Sequence, residues 1–370
     1  MSTRRSEIPM RRLFLVLALP ATIAVPAGDV QATIAVPAGD VQATIAVPAG
    51  DVQATAAVPA GDVGATAVAP AGDVQAATAA PPAAVLPADF PDPDVIRAGS
   101  TFYAYSTSSG TRHVPVAAAP SATGPWTVRG DALPAKPSWA VSCEADPDCG
   151  LWAPDVSRRA DGKYLMYFTA PSATAKRRCV GAALSSGPLG PFRPLGDGPI
   201  VCDPGEGGAI DPASFVDTGG QRYLLYKNDG NAVRRPAIVW LQRVLPDGVT
   251  FVGPRKELIR NDDPREDGIV EAPVLVKRST RYVLFYSGGP YTGDRYFTGY
   301  AVSPSLTGPY TKSASPLMTT ATLHGAVQGP GGADVLGDRV FFHGWVNGAR
   351  WMYTAPLNWT DDVPAVRQAG

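Results

Sequence analysis

No aromatic residue occurs between Phe14 and Phe90, although aromatics make up 8% of the chain. An eleven-residue repeat fills most of that stretch. "ATIAVPAGDVQ" occurs unchanged from Ala21, Ala32 and Ala43, and "ATAAVPAGDVG" and "ATAVAPAGDVQ" follow from Ala54 and Ala65. Repeats can stack into a solenoid when neighbours share a core. Here every copy carries proline and glycine and none carries an aromatic, so burial cannot offset the entropy of ordering the chain. Residues 28–84 are expected to be a disordered linker, and a folded domain is expected over 85–370.

An excess of charge is also missing. Lys and Arg number 32 and Asp and Glu 33, for a net charge of −1, which argues against nucleic acid or an anionic membrane surface as a partner. Apolar residues nowhere repeat at helical spacing over a long segment, whereas glycine (39) and proline (38) are abundant. Many turns between short strands are expected, and an all-β fold. The one long apolar run, "LFLVLALPATIAV" from Leu13 to Val25, is too short to span a bilayer and contains Pro20. Arg4, Arg5, Arg11 and Arg12 precede it, and "VPA" ending at Ala27 offers a cleavage site. Residues 1–27 are read as a signal peptide and the product as secreted, with an uncleaved anchor as the alternative.

Cysteine and histidine are scarce, with four and three copies. No CxxC pair occurs and no histidine is near a cysteine in sequence, which argues against a zinc site. In an exported chain four cysteines allow three disulfide pairings. Cys143–Cys149, closing "CEADPDC", and Cys179–Cys202 are expected.

Beyond residue 85 a longer repeat is present. "AAPSATGPW", "LSSGPLGPF" and "VSPSLTGPY" end at Trp126, Phe192 and Tyr310, and a degenerate "RVLPDGVTF" ends at Phe251, at intervals of 66, 59 and 59 residues. Aromatic-rich strands keep the same beat: "TFYAYST", "KYLMYFTA", "RYLLYKN", "RYVLFYSG" and "RVFFHGW". Five units of three or four short strands suggest a five-bladed β-propeller. A two-sheet sandwich is the rival, but it would not require five equivalent units.

An acid precedes each of the first four aromatic strands: Asp92 in "PDPDV", Asp155 in "WAPDV", Asp211 in "AIDPASF" and Glu271 in "IVEAPVLV", at intervals of 63, 56 and 60 residues. The fifth unit has "VQGPGGADV" instead. In a propeller the innermost strands surround the axis, so these acids would converge at one mouth. The adjoining prolines suit a strand edge where no ladder bond is needed. Crowded carboxylates are unfavourable unless a ligand, a proton or a metal uses them. With no Ser–His pair in view, they point to glycoside hydrolysis by one acid and one base. Among lesser candidates, Trp152 and Phe90 could stack on a sugar, Asn228 could bind a hydroxyl and Asp155 could bind sugar. Packing or turn roles are the alternative for each. Arg350 and Trp351 are read as packing in the fifth unit.

Taken together, "FPDPDV…FYAYST", "WAPDV", "IDPASF", "VEAP" and "HGW…RWMYTAPLNW" resemble glycoside hydrolase family 43 over about 85–370. The resemblance implies a five-bladed propeller that hydrolyses arabinan, arabinoxylan or related polysaccharides with inversion at the anomeric carbon. It implies that Asp92 is the general base, Glu271 the general acid, and Asp211 a third carboxylate that orients the acid and raises its pKa. Many relatives carry a histidine after "GPG" that is linked to a central metal ion or water. Gly332 stands there in this chain, so neither a metal nor any other cofactor is expected.

The expected activity is that of an α-L-arabinofuranosidase or arabinanase acting as a monomer on an oligo- or polysaccharide. A β-xylosidase of the same family is the alternative, and a non-catalytic carbohydrate-binding propeller is the non-enzyme rival. Retaining, invertase-like propellers would show Arg-Asp-Pro and Glu-Cys motifs where "AIDP" and "VEAP" stand. Because the repeat carries no chemistry, a protein beginning at Pro82 should keep the melting temperature and turnover of the full chain. A large loss of either on truncation would show that the repeat packs on the domain.

Overall fold

The computed structural model describes residues 82–144 and 148–366; the expected signal peptide and nearly all of the repeat segment lie outside them. Five antiparallel sheets follow one another along the chain, with no α-helix among the described residues. Blades one to four each run from an inner to an outer strand in sequence order. Their inner strands are Asp94–Ala98, Trp152–Arg158, Ala209–Val216 and Val270–Lys277. Blade five has Gln328–Leu336 innermost, then Arg339–Val346 and Ala349–Thr360. Its outer edge is completed by Ala84–Leu86, which pairs with Ala349–Thr360 and closes the ring. The first strand thus starts one residue ahead of the expected boundary. This is a five-bladed β-propeller, as the period implied.

The aromatic strands are the second strand of each blade, and their side chains fill the space between blades. Edge-on aromatic pairs join blade one to two (Tyr105–Phe192), one to five (Trp126–Phe341), three to four (Phe215–Tyr282) and four to five (Phe285–Trp359). Each pair contributes about 0.5–1.5 kcal/mol beyond the area it buries. Both expected disulfides, Cys143–Cys149 and Cys179–Cys202, are formed.

The inner strands share a distortion that sets the whole axis. Asp92, Ala153, Asp211, Ala272 and Gly332 have φ of 52°, 42°, 51°, 49° and 55°, a left-handed conformation that non-glycine residues seldom adopt. In blades two to five the ladder slips at this residue, as in a β-bulge, which re-aims side chains. A proline follows in four of the five: Pro93, Pro154, Pro212 and Pro273.

Each left-handed residue is fastened to the blade before it. Ala153 N–H donates to Thr107 Oγ1 (2.9 Å), Asp211 N–H to Thr169 Oγ1 (3.1 Å), Gly332 N–H to Ser287 Oγ (2.9 Å) and Asp92 N–H to His343 Nδ1 (3.1 Å). Ala272 is the exception: its N–H donates to Asp211 Oδ2 (2.9 Å). Such a bond contributes about 1 kcal/mol net, and a buried N–H left unpaired would cost about 1–3 kcal/mol.

This frame corrects the reading of one acid at an equivalent place in each blade. Asp92 and Asp211 occupy the left-handed position. Glu271 stands one residue earlier, level with Trp152, and Asp155 two residues later, level with Asp94 and Asp334. The left-handed residues are spaced 61, 58, 61 and 60 apart, a more even beat than that of the acids.

Asp94, Asp155 and Asp334 line a narrow axial channel with about 40 Å³ of free space. They staple blades together: Asp334 Oδ2 accepts from Val95 N–H (2.8 Å), Asp94 Oδ2 from Val156 N–H (2.9 Å), and Asp155 Oδ1 from the Ser214 hydroxyl. Burial, with a smaller push from Asp155, raises the pKa of Asp334 to about 7. An unfolded Asp releases its proton near 3.9, so between about pH 4 and 7 the folded state binds more protons and stability falls as pH rises. Asp334→Asn keeps an acceptor for Val95 N–H but cannot ionise. Its melting temperature should fall less than that of the parent between about pH 5 and pH 8; equal falls would show that Asp334 does not titrate in that window.

Candidate active site

A cavity of about 350 Å³ opens at the mouth of the propeller, lined by Asp92, Asp211, Glu271, Thr107, Trp152, Tyr291, Tyr296 and Arg350 among others. This lies within the range of small-ligand sites. The three carboxylates share it because the bulges turn their strand positions to one side.

Their surroundings differ. Asp92 Oδ2 accepts from Thr107 Oγ1 (2.6 Å), and Arg350 Nη1 lies 3.2 and 3.3 Å from its two oxygens. Burial works to raise the Asp92 pKa. The Arg350 charge and the Thr107 hydroxyl outweigh it and hold the carboxyl well below the usual carboxylate range. Asp92 is therefore charged at any working pH. His343 Nδ1 is within reach of both the Asp92 N–H (3.1 Å) and Oδ1 (3.2 Å). A backbone N–H can only donate, so Nδ1 accepts and the ring is neutral. Burial, which lowers the His343 pKa, favours the same state.

Asp211 is the opposite case. Burial first, then the charges of Glu271 and Asp92, raise its pKa to about 8 despite Lys227 and the Ala272 N–H. Asp211 thus retains its proton through neutral pH. Glu271 is held on both oxygens, by Tyr296 Oη at 2.8 Å and Lys227 Nζ at 3.0 Å. The Tyr296 ring stacks on His343, with centroids 5.8 Å apart, which links the surroundings of Glu271 to those of Asp92.

Trp152 forms part of the wall, as its sequence context allowed. The Arg178 guanidinium lies 3.1 Å above its ring and is itself bound to Asp148 and Gly150. Three other sequence candidates are placed elsewhere. Phe90 is 1% exposed and packs with Val95, Trp126, Phe341 and Met352; it is core, because the chain turns inward before Asp92. Asn228 is 2% exposed and braces its own turn, accepting from Ile238 N–H and donating to Pro236 O. Asp155 lies deeper on the axis, where it binds Ser214.

Sequence reading overlooked Thr107, Lys227, Tyr291, Tyr296 and His343, and treated Arg350 as packing. Arg350 is in blade five as expected, but its head group reaches Asp92 and lies near the rings of Tyr291 and Trp345. A charged residue within "ARWMY", in a strand otherwise apolar at that end, was the available signal.

Gly332 explains the missing family histidine. A Cβ there would lie 2.6 Å from His343 Nδ1 and 2.7 Å from Asp92 Oδ1, so an imidazole from the neighbouring strand fills the space a side chain at 332 would need. His343 Nε2 is enclosed without a protein partner. No three His, Cys, Asp or Glu side chains among the described residues are gathered as a metal site.

A propeller whose axial mouth gathers one fixed carboxylate, one protonated carboxyl and a third acid is suited to hydrolysis of a glycosidic bond, and the protein is a glycoside hydrolase. The chain belongs to the glycosyl hydrolases family 43, whose profile matches residues 82–362. A relative from Aspergillus flavus, named probable arabinan endo-1,5-alpha-L-arabinosidase C, is 26% identical over 290 residues, covering 72% of this chain and 87% of its own. Another from Neosartorya fischeri, named probable arabinan endo-1,5-alpha-L-arabinosidase A, is 28% identical over 274 residues, covering 68% and 81%. The crystal structure of a thermostable family-43 glycoside hydrolase matches with a TM-score of 0.66 at 25% identity, over 75% of this chain and 93% of that one.

Arg350→Met removes the charge that holds Asp92 ionised. The Asp92 pKa then rises, so an acidic limb of kcat/KM that the Arg350 charge keeps below the working range should move up towards it. A limb that stays in place would show that another group sets it.

Proposed function

We propose that the protein hydrolyses α-1,5-linked arabinofuranosyl bonds of arabinan with inversion of configuration. The observation that carries the reading is the unequal setting of carboxyls in one cavity: Arg350 keeps Asp92 charged, while burial and the neighbouring Glu271 push Asp211 to keep its proton. Asp92 takes a proton from a water whose oxygen bonds to the anomeric carbon, and Glu271 gives its proton to the leaving oxygen as the old C–O bond breaks. Asp211 is the neighbouring carboxyl with which Glu271 shares that proton. Trp152, backed by Arg178, offers a flat apolar face to a sugar ring. The names of the Aspergillus and Neosartorya relatives support arabinan over xylan as the substrate.

The folded domain is taken to span 85–370, with the repeat ahead of it as a linker. The basic, apolar start of the sequence and the two disulfides support a secreted protein that works outside the cell, and no helix among the described residues is long and apolar enough to cross a membrane.

Product analysis on linear arabinan, with the first-formed anomer read by NMR, tests the reading; retention, or no hydrolysis, would overturn it. Glu271→Gln removes the proton donor, so it should slow arabino-oligosaccharides by about 10²–10⁴-fold while sparing an aryl arabinoside with an acidic leaving group. Asp92→Asn should slow both alike. Equal losses on both substrates for Glu271→Gln would remove it from the role of acid.

A further inference from the structure

The fastening of each inner strand to the blade before it uses one repeated position. It lies at the end of the second strand, opposite the residue that precedes the bulge: Thr107 opposite Pro91, Thr169 opposite Trp152, Lys227 opposite Ile210, Ser287 opposite Glu271 and His343 opposite Gly331. Thr107, Thr169, Ser287 and His343 each accept the N–H of the next blade's left-handed residue. Lysine has three donors and no acceptor. Lys227 therefore cannot do what its four counterparts do, and the N–H it would take, that of Ala272, goes to Asp211 instead.

Lys227 is also 1% exposed, and burying an ammonium is unfavourable unless it is paired. Its ammonium reaches into the next blade at the same level and meets Glu271 Oε2 at 3.0 Å, with Asp229 Oδ1 at 3.5 Å behind it. The frame of the propeller gains nothing from a cation here that a threonine would not supply. The contact it makes is with the residue read as the acid.

We propose that Lys227 is a positioning residue for the proton donor: its ammonium fixes one oxygen of Glu271 and offsets the repulsion between Glu271 and Asp211. This rests on the reading of Glu271 as the acid. Two carboxyls buried side by side favour a tightly held shared proton, and a tightly held proton is a poor one to donate. A fixed cation at the donor's own oxygen weakens that hold. Tyr296 fixes the other oxygen, so the donating face is set by two bonds from two blades. The remaining charged or titratable groups facing Glu271 are Asp211 and, farther off, Asp92 with its partner Arg350, and His343. All of them stay in place when Lys227 is changed.

Lys227→Thr places at this position the residue type that two counterparts already carry, so the ring should still close. Turnover of arabino-oligosaccharides should drop by about 10²-fold, an activated aryl arabinoside should lose far less, and the alkaline limb of kcat/KM should move up by about 1 pH unit. The acidic limb, set by Asp92, should not move. Lys227→Met, which keeps the volume, gives the same readout if the threonine variant melts early, and Lys227→Arg should recover part of the oligosaccharide rate. Equal losses on both substrates with an unmoved alkaline limb would make Lys227 a structural residue and overturn the proposal, as would unchanged rates. Hydrolysis and inversion by the unaltered protein are measured first, so failure of the arabinanase reading is seen separately.

Discussion

The left-handed turn of the inner strand is the constraint on which the rest of this propeller depends. At Asp92, Ala153, Asp211, Ala272 and Gly332 the backbone adopts a positive φ, the side chains on either side are swung out of ordinary alternation, and an N–H is freed to face the neighbouring blade. A strained conformation persists only when its surroundings over-determine it. Here the surroundings are an acceptor from the preceding blade at four of the five positions and the Asp211 carboxylate at the fifth. The bonds that hold blades together thus also aim the carboxylates. Structure and site are separate demands on the same five residues, and glycine, alanine and aspartate are distributed among them according to which demand a given blade must meet.

The asymmetry of the site follows from substitutions within a symmetric frame. Aspartate at the left-handed position of blades one and three yields two carboxyls with opposite surroundings: one faces Arg350, the other faces Glu271. Glutamate is one step earlier in blade four, where the longer side chain is needed to reach the same cavity. Aspartates two steps later in blades one, two and five never reach the mouth and act as staples along the axis. One short segment, repeated with small changes, therefore supplies the carboxylate beside Arg350, the two further carboxyls of the cavity and the mechanical ties.

Much of this was legible in the sequence because it is periodic. Five aromatic strands at a steady interval required five equivalent units, and acids before them required a common mouth. The register was harder to read. Aligning on acids gave uneven intervals, because Glu271 and Asp155 lie one step before and two steps after the left-handed position. The prolines Pro93, Pro154, Pro212 and Pro273 were the true marks, since they keep a fixed offset from the backbone distortion rather than from the chemistry. Phe90 and Asn228 are taken up by the frame instead: Phe90 packs into the core between blades one and five, and Asn228 binds the backbone of its own turn. Lys227, Tyr296 and His343 were out of reach because each acts across a blade boundary, and no local pattern announces a contact between residues tens of positions apart. The row Thr107, Thr169, Lys227, Ser287 and His343 was visible as five strand ends, but its meaning lay in hydrogen bonds that only the assembled ring defines.

The closing strand Ala84–Leu86 and Asp92 lie within nine residues of each other, and the segment between them is bound to the strand it pairs with: Phe90 N–H donates to Arg350 O, and Arg350 N–H donates to Asp89 Oδ1. The seam of the ring and the seat of the carboxylate paired with Arg350 are thus one piece of chain. Opening the circle at that seam would not merely loosen the ring of blades; it would carry Asp92 away from Arg350. A circular permutant with new ends between two other blades would move the seam elsewhere and leave this segment internal.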